Sequence, residues 1–124
     1  MPDFSESRTQ YSNESHTQVN NLNEQIVQEF TNLRDSIHID MDLDTIGENI
    51  IVKIFEKVDG TNYTQVRDAL FDPTYVTGDF DDDIKIVEVD LNGGGQDMKL
   101  TLQSVVLEGS NVIVPFTFSI FSRP

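Results

Sequence analysis

From Ser36 onward, apolar residues fall at every second position, and few backbones accommodate that pattern. In "SIHIDMDLDT", Ile37, Ile39, Met41 and Leu43 alternate with His38, Asp40, Asp42 and Asp44. A period of two places one set on each face of an extended strand, so this segment reads as a half-buried strand. The period returns along the chain. "NIIVKIFEKV" carries Ile50, Val52 and Ile54 on one face and Ile51, Lys53, Phe55 and Lys57 on the other, as a central strand would. "YTQVRDALF" runs to Leu70 and Phe71 and stops at Asp72-Pro73. In "IKIVEVDL" the apolar set shifts from Ile84 and Ile86 to Val87, Val89 and Leu91, which suggests a bulge or burial on both faces. "MKLTLQSVV" alternates through Met98, Leu100 and Leu102. "VIVPFTFSIF" aligns Val112, Val114, Phe116, Phe118 and Ile120, with Pro115 on the opposite face, where a missing donor suits an edge or a bulge. Turn signals separate these runs at "DGTN", Asp59–Asn62, and at "EGSN", Glu108–Asn111. No long helical pattern lies between strands, which argues against a parallel α/β sheet. The expectation for residues 36–124 is an antiparallel β-sandwich of about six strands, jelly-roll or immunoglobulin-like, or a partly closed barrel.

The first 35 residues read differently. Residues 1–15 are polar and offer a core almost nothing, which predicts a flexible arm. In "HTQVNNLNEQIVQEFTNLR", Val19, Leu22, Ile26, Phe30 and Leu33 recur at steps of 3, 4, 4 and 3. That spacing predicts an amphipathic helix over 16–35. It packs either on its own β-domain or on a neighbouring subunit. Only about two heptads are present, short of a sustained coiled-coil repeat.

Composition closes several routes. The 124 residues suit one domain. A net charge of −14 opposes binding to nucleic-acid phosphates and to anionic membrane surfaces. No cysteine is present, so disulfides, thiolate nucleophiles and Cys-based metal sites are excluded. No apolar run approaches the roughly 18 residues of a membrane span. The first residues do not read as a signal peptide.

Three glycines in "VEVDLNGGGQDMKLTLQS" raise the question of a phosphate loop. Such a loop must open a helix so that backbone amides meet the phosphate. Here period-two alternation follows, and Gln96 and Asp97 stand where Lys and Ser or Thr are required. The glycines read as a turn between strands, with Asn92-Gly93 as a hairpin signal.

Two acidic groupings stand out. Asp79, Asp81 and Asp83 have the spacing that opens an EF-hand, but Ile84 replaces its glycine and Asp90 its terminal glutamate. They are the candidate metal ligands, with calcium as the ion; the other reading is a solvated acidic loop. Asp40, Asp42 and Asp44 lie about 7 Å apart along one strand face. They read as the solvent face of an edge strand that discourages aggregation. With histidines only at positions 16 and 38, and no Ser/His/Asp context, the chain reads as a non-enzyme with no required cofactor.

Charge is unevenly spread. Residues 36–97 hold 15 acids and 4 bases, whereas 98–124 hold one acid, Glu108, and two bases. The final strand carries Phe116, Phe118 and Ile120 on one face and Ile113 and Phe121 on the other. One face fills a core, and the other needs cover from the N-terminal segment or a neighbouring subunit.

At "VKIFEKVDGTNYTQV" and "VDLNGGGQDMKLTLQSVVLEG" the chain resembles small β-rich virion accessory proteins of archaeal and bacterial viruses. The resemblance spans about residues 36–121 and carries no functional motif. It implies a β-sandwich that decorates a capsid or forms a spike or fibre, located at the particle surface. The expected function is therefore non-enzymatic assembly, as a homo-oligomer with a trimer favoured, docking to protein subunits of the same particle. The expected docking residues are Val19, Leu22, Ile26, Phe30 and Leu33, with Ile113, Phe116, Phe118, Ile120 and Phe121. On this view, removing residues 1–34 leaves a folded β-domain. The alternative is a carbohydrate- or receptor-binding module using Tyr63, Tyr75 and the Asp79–Asp83 loop.

Overall fold

The computed structural model describes residues 8–73 and 86–121. Every described regular element is a strand: β1 (Arg8–Gln18), β2 (Glu24–Phe30), β3 (Ser36–Asp42), β4 (Ile50–Glu56), β5 (Thr64–Phe71), β6 (Ile86–Asn92), β7 (Met98–Ser104) and β8 (Val112–Phe121). They form two four-stranded sheets, β1-β8-β3-β6 and β2-β7-β4-β5, packed as a sandwich. All pairings are antiparallel, and they nest: β1 with β8, β2 with β7, β3 with β6, β4 with β5. The chain is thus one long folded hairpin with its midpoint at β4 and β5. Wrapping that hairpin adds the β3–β8 and β4–β7 pairings.

The predicted helix over 16–35 is not there; the six strands expected after residue 36 are present as β3–β8, and β1 and β2 bring the described strands to eight. The five residues at helical spacing fall in three separate elements. Val19 and Leu22 lie in the β1–β2 connection, Ile26 and Phe30 on β2, and Leu33 in the β2–β3 connection. Local chemistry explains the break. Asn20, Asn21 and Asn23 are weak helix formers, and the Asn21 side chain accepts a hydrogen bond from the Asn23 amide at 3.0 Å, closing a turn. A register shift between Ile26 and Gln28 then adds one residue to β2. In a regular strand, residues four apart share a face. The extra residue breaks that rule, so Ile26 is exposed while Phe30 enters the core.

The alternating segments pack as their pattern dictates. Ile37, Ile39 and Met41 of β3, Val89 and Leu91 of β6, and Val114, Phe116 and Phe118 of β8 form one inner face. Ile50, Val52 and Ile54 of β4 and Met98, Leu100 and Leu102 of β7 form the other. Phe30 crosses between the sheets and meets Phe118 edge to face, centroids 6.1 Å apart. β4 is central, as its two-faced apolar pattern predicts. β6 has no bulge: its register with β3 runs unbroken from Asp42↔Ile86 to Ser36↔Asn92. β8 is not an edge strand, since β1 and β3 flank it. Pro115 nonetheless falls just outside the β3 partnership, which begins at Phe116. The missing donor is tolerated there because only β1 borders that part of β8.

The glycine run is a turn, as expected, but not a hairpin, because β6 and β7 belong to different sheets. It packs against the β2–β3 connection. Gly95 N donates to Leu33 O at 2.7 Å, and Leu33 N donates to Gln96 O at 3.0 Å. A Cβ on Gly93 would lie 2.0 Å from Leu33 O, and Gly95 has φ 101°.

Two outcomes follow. Gly93→Ala must push backbone aside and is expected to cost about 2 kcal/mol or more in chemical denaturation. Gly94→Ala meets only the end of the flexible Gln96 side chain and is expected to cost clearly less. The truncation expected from sequence to leave a folded domain reverses in sign. Removing residues 1–34 takes one strand from each sheet and Phe30 and Leu33 from the core. The truncated chain is expected to show no cooperative thermal transition by circular dichroism.

Candidate functional site

Two features are candidates for a functional site. The first is on the outer face of the β1-β8-β3-β6 sheet. Cross-strand pairing places His38 opposite Asp90 and Asp40 opposite Glu88. On the other flank of β3, His38 and Asp40 face Ser119 and Thr117 of β8, which carry no charge. The His38 ring is held at both nitrogens: Nδ1 lies 2.7 Å from Asp90 Oδ1 and Nε2 lies 3.0 Å from Asp40 Oδ1. One donor atom each from His38, Asp40 and Glu88 lies within 4.8 Å of the other two. Like charges directly opposite on a sheet repel, and here Asp40 and Glu88 are such a pair.

The hydrogen bond that Asp90 accepts from the ring is the main reason that the His38 imidazole is more basic than its ordinary value of 6.5. Partial burial works against it, and the Asp40 charge adds to it.

The second feature is one end of the sandwich. Val19 and Leu22 lie in the β1–β2 connection, Val105, Val106 and Leu107 in the β7–β8 connection, and Ile113 near the start of β8. Each of the six keeps between 45% and 53% of its surface exposed. The connections bearing them are tied together. Asn20 N donates to Asn111 Oδ1 at 2.9 Å, and Gly109 N donates to Asn20 Oδ1 at 3.1 Å. Gln103 Nε2 donates to Leu22 O at 3.2 Å. Glu108 accepts from Gly47 N at 3.1 Å and Glu48 N at 3.2 Å, which fixes the β3–β4 connection beside them. These bonds make a supported platform of aliphatic side chains.

The outer face of the second sheet engages its lysines in its own contacts, while Ile26 and Leu70 on that face stay exposed. Lys53 bonds Gln103 at 2.6 Å and pairs with Glu24 at 3.5 Å. Lys57 and Lys99 lie 4.9 and 4.5 Å from the Tyr63 ring centroid, so both cations occupy that ring.

The residues expected to dock divide accordingly. Val19, Leu22, Ile26 and Ile113 are exposed. Phe30, Leu33, Phe116 and Phe118 are core residues, and Ile120 packs partly buried against that core. The Phe121 side chain and the candidate calcium ligands Asp79, Asp81 and Asp83 lie outside the described residues, as does Tyr75. The Asp40, Asp42, Asp44 row divides as well. β3 is interior, so Asp40 faces Glu88, while Asp44 has left the strand and donates its amide to Asp42 Oδ1 at 3.0 Å. The His38 grouping was missed because it depends on the β3–β6 register. The alternations in "HIDMDLD" and "VEVD" place each acid on an outer face but do not pair them.

By NMR, His38 is expected to titrate above 6.5, and Asp90→Asn to move it down toward that value. A folded-state pKa above the unfolded one stabilises the protonated fold. This contribution is therefore complete below the ordinary value and is lost as pH rises through the raised one. His38→Gln is expected to remove that part of the stability profile.

No protein-family model, no curated protein and no solved structure matches the chain.

Proposed function

We propose that this chain is a non-enzymatic structural protein of a virus particle, a capsid-decorating, spike or fibre subunit that works by self-association and by docking to neighbouring subunits at the particle surface. The observation that carries the reading is the supported aliphatic end formed by Val19, Leu22, Val105, Val106, Leu107 and Ile113. Large apolar side chains left exposed together at one end of a fold are candidates for an interaction site. The nested strand order is read as a jelly roll, an architecture used by viral capsid and lectin domains. That supports assembly and also the rival binding-module reading. The rival has less behind it at Tyr63, whose ring two lysines already cover. A sugar stacking there competes with those cations.

A net charge of −14 repels copies of the chain from one another. Association through an apolar end is therefore expected to strengthen with salt, which screens that repulsion. Light scattering on the full-length chain at low and high salt tests the proposal. A closed oligomer, with the trimer favoured, is expected, tighter at high salt. The double variant Leu22→Asp with Leu107→Asp is expected to shift mass toward monomer and to keep its melting temperature. A wild-type chain that stays monomeric at every salt concentration, or a variant that associates as before, counts against self-association through this end.

A further inference from the structure

We infer that His38, Asp40 and Glu88 form a binding site for a divalent transition-metal ion, with zinc as the preferred ion and Asp90 as the group that positions the histidine. The inference is independent of the assembly reading and of the candidate calcium ligands Asp79, Asp81 and Asp83.

The donor set comes first. One imidazole nitrogen and two carboxylates suit zinc better than calcium or magnesium, which favour oxygen-only shells. Geometry comes second. Bonds of about 2 Å in a tetrahedral shell put neighbouring donors about 3.3 Å apart. His38 Nε2 and Asp40 Oδ1 are already 3.0 Å apart. The three donor atoms lie within 4.8 Å of one another, so a small rotation of the exposed Glu88 side chain completes the set. Orientation is the third point. A metal-binding histidine commonly gives its second ring nitrogen to a carboxylate, which fixes the tautomer and raises basicity. Asp90 Oδ1 holds Nδ1 of His38 at 2.7 Å in that role and leaves Nε2 directed at Asp40. Charge is the last. Asp40 and Glu88 repel across the β3–β6 pairing, and a divalent cation between them reverses the sign of that contact. The site sits on paired strands, with β3 hydrogen-bonded on both sides, so the ligands start from a rigid base.

The test is calorimetric titration of the full-length chain with zinc chloride after treatment with a chelator, together with thermal melts. One zinc ion per chain and a rise in melting temperature are expected. Glu88→Gln is the first variant, because Glu88 is exposed and its replacement leaves the core untouched. It and His38→Ala are expected to weaken zinc binding tenfold or more. Asp90→Asn, which keeps all three ligands, is expected to cost between about 10- and 100-fold. His16→Ala, at the only other histidine, is expected to leave the affinity unchanged. Calcium at the same concentration is expected not to compete. Absence of both heat and stabilisation at millimolar zinc overturns the inference. So does binding that survives Glu88→Gln and His38→Ala, or binding lost on His16→Ala alone.

Discussion

Everything in this sandwich depends on the pairing of its first strand with its last. Among its described side chains, β1 contributes no apolar residue to the core. The β1 residues level with Val114, Phe116 and Phe118 of β8 are His16, Glu14 and Ser12. Its attachment is the ladder to β8, which runs with one irregularity from Arg8↔Phe121 to Gln18↔Val112. Buried Gln18 adds a cross-sheet tie to Ser104 Oγ on β7 at 3.3 Å. Once β1 is zipped to β8, β2 follows as partner of β7 and brings Phe30 over the core. Partners so far apart in sequence meet only after a large loss of chain entropy, which favours slow folding.

The same dependence explains what could be read from the sequence. β3, β4, β7 and β8 announce themselves because their inner faces are apolar at every second position. β1 could not, because "RTQYSNESHTQ" lacks that alternation and is a strand only through its partner. β2 was misread because its extra residue gives Ile26 and Phe30 a spacing that a helix would also give. Pairing is the information missing from a single chain. It separates a hairpin at Asn92-Gly93 from the actual passage between sheets. It also brings the acids of β3 and β6 into one group with His38. The aliphatic end was half legible: Val19, Leu22 and Ile113 stood out as apolar residues in need of cover, whereas Val105 and Val106 passed for the tail of a strand and Leu107 drew no reading.

The surface is divided by chemistry in a way the net charge conceals. One outer face carries Asp40, Asp42, Glu88 and Asp90 around a single histidine. The opposite face carries Lys53 and Lys99, with Lys57 just beyond, drawn onto Phe55, Tyr63, Glu24 and Asp97. The aliphatic platform occupies one end between these faces. Glu108, the single acid after residue 97, is engaged in holding that end together through the Gly47 and Glu48 amides. An acidic face built around one histidine and an apolar end thus stand on the same frame, each with its own chemistry.

Arg8 and Phe121 are register partners at the end opposite the aliphatic platform. The two extremities of the described fold therefore leave it side by side. A short peptide joining them would turn β1 and β8 into an ordinary hairpin, and the chain could then be opened at another connection. A circularly permuted version would keep every strand pairing while converting the most distant contact in the sequence into a local one. Such a rewired chain would reach the same sandwich by a shorter search.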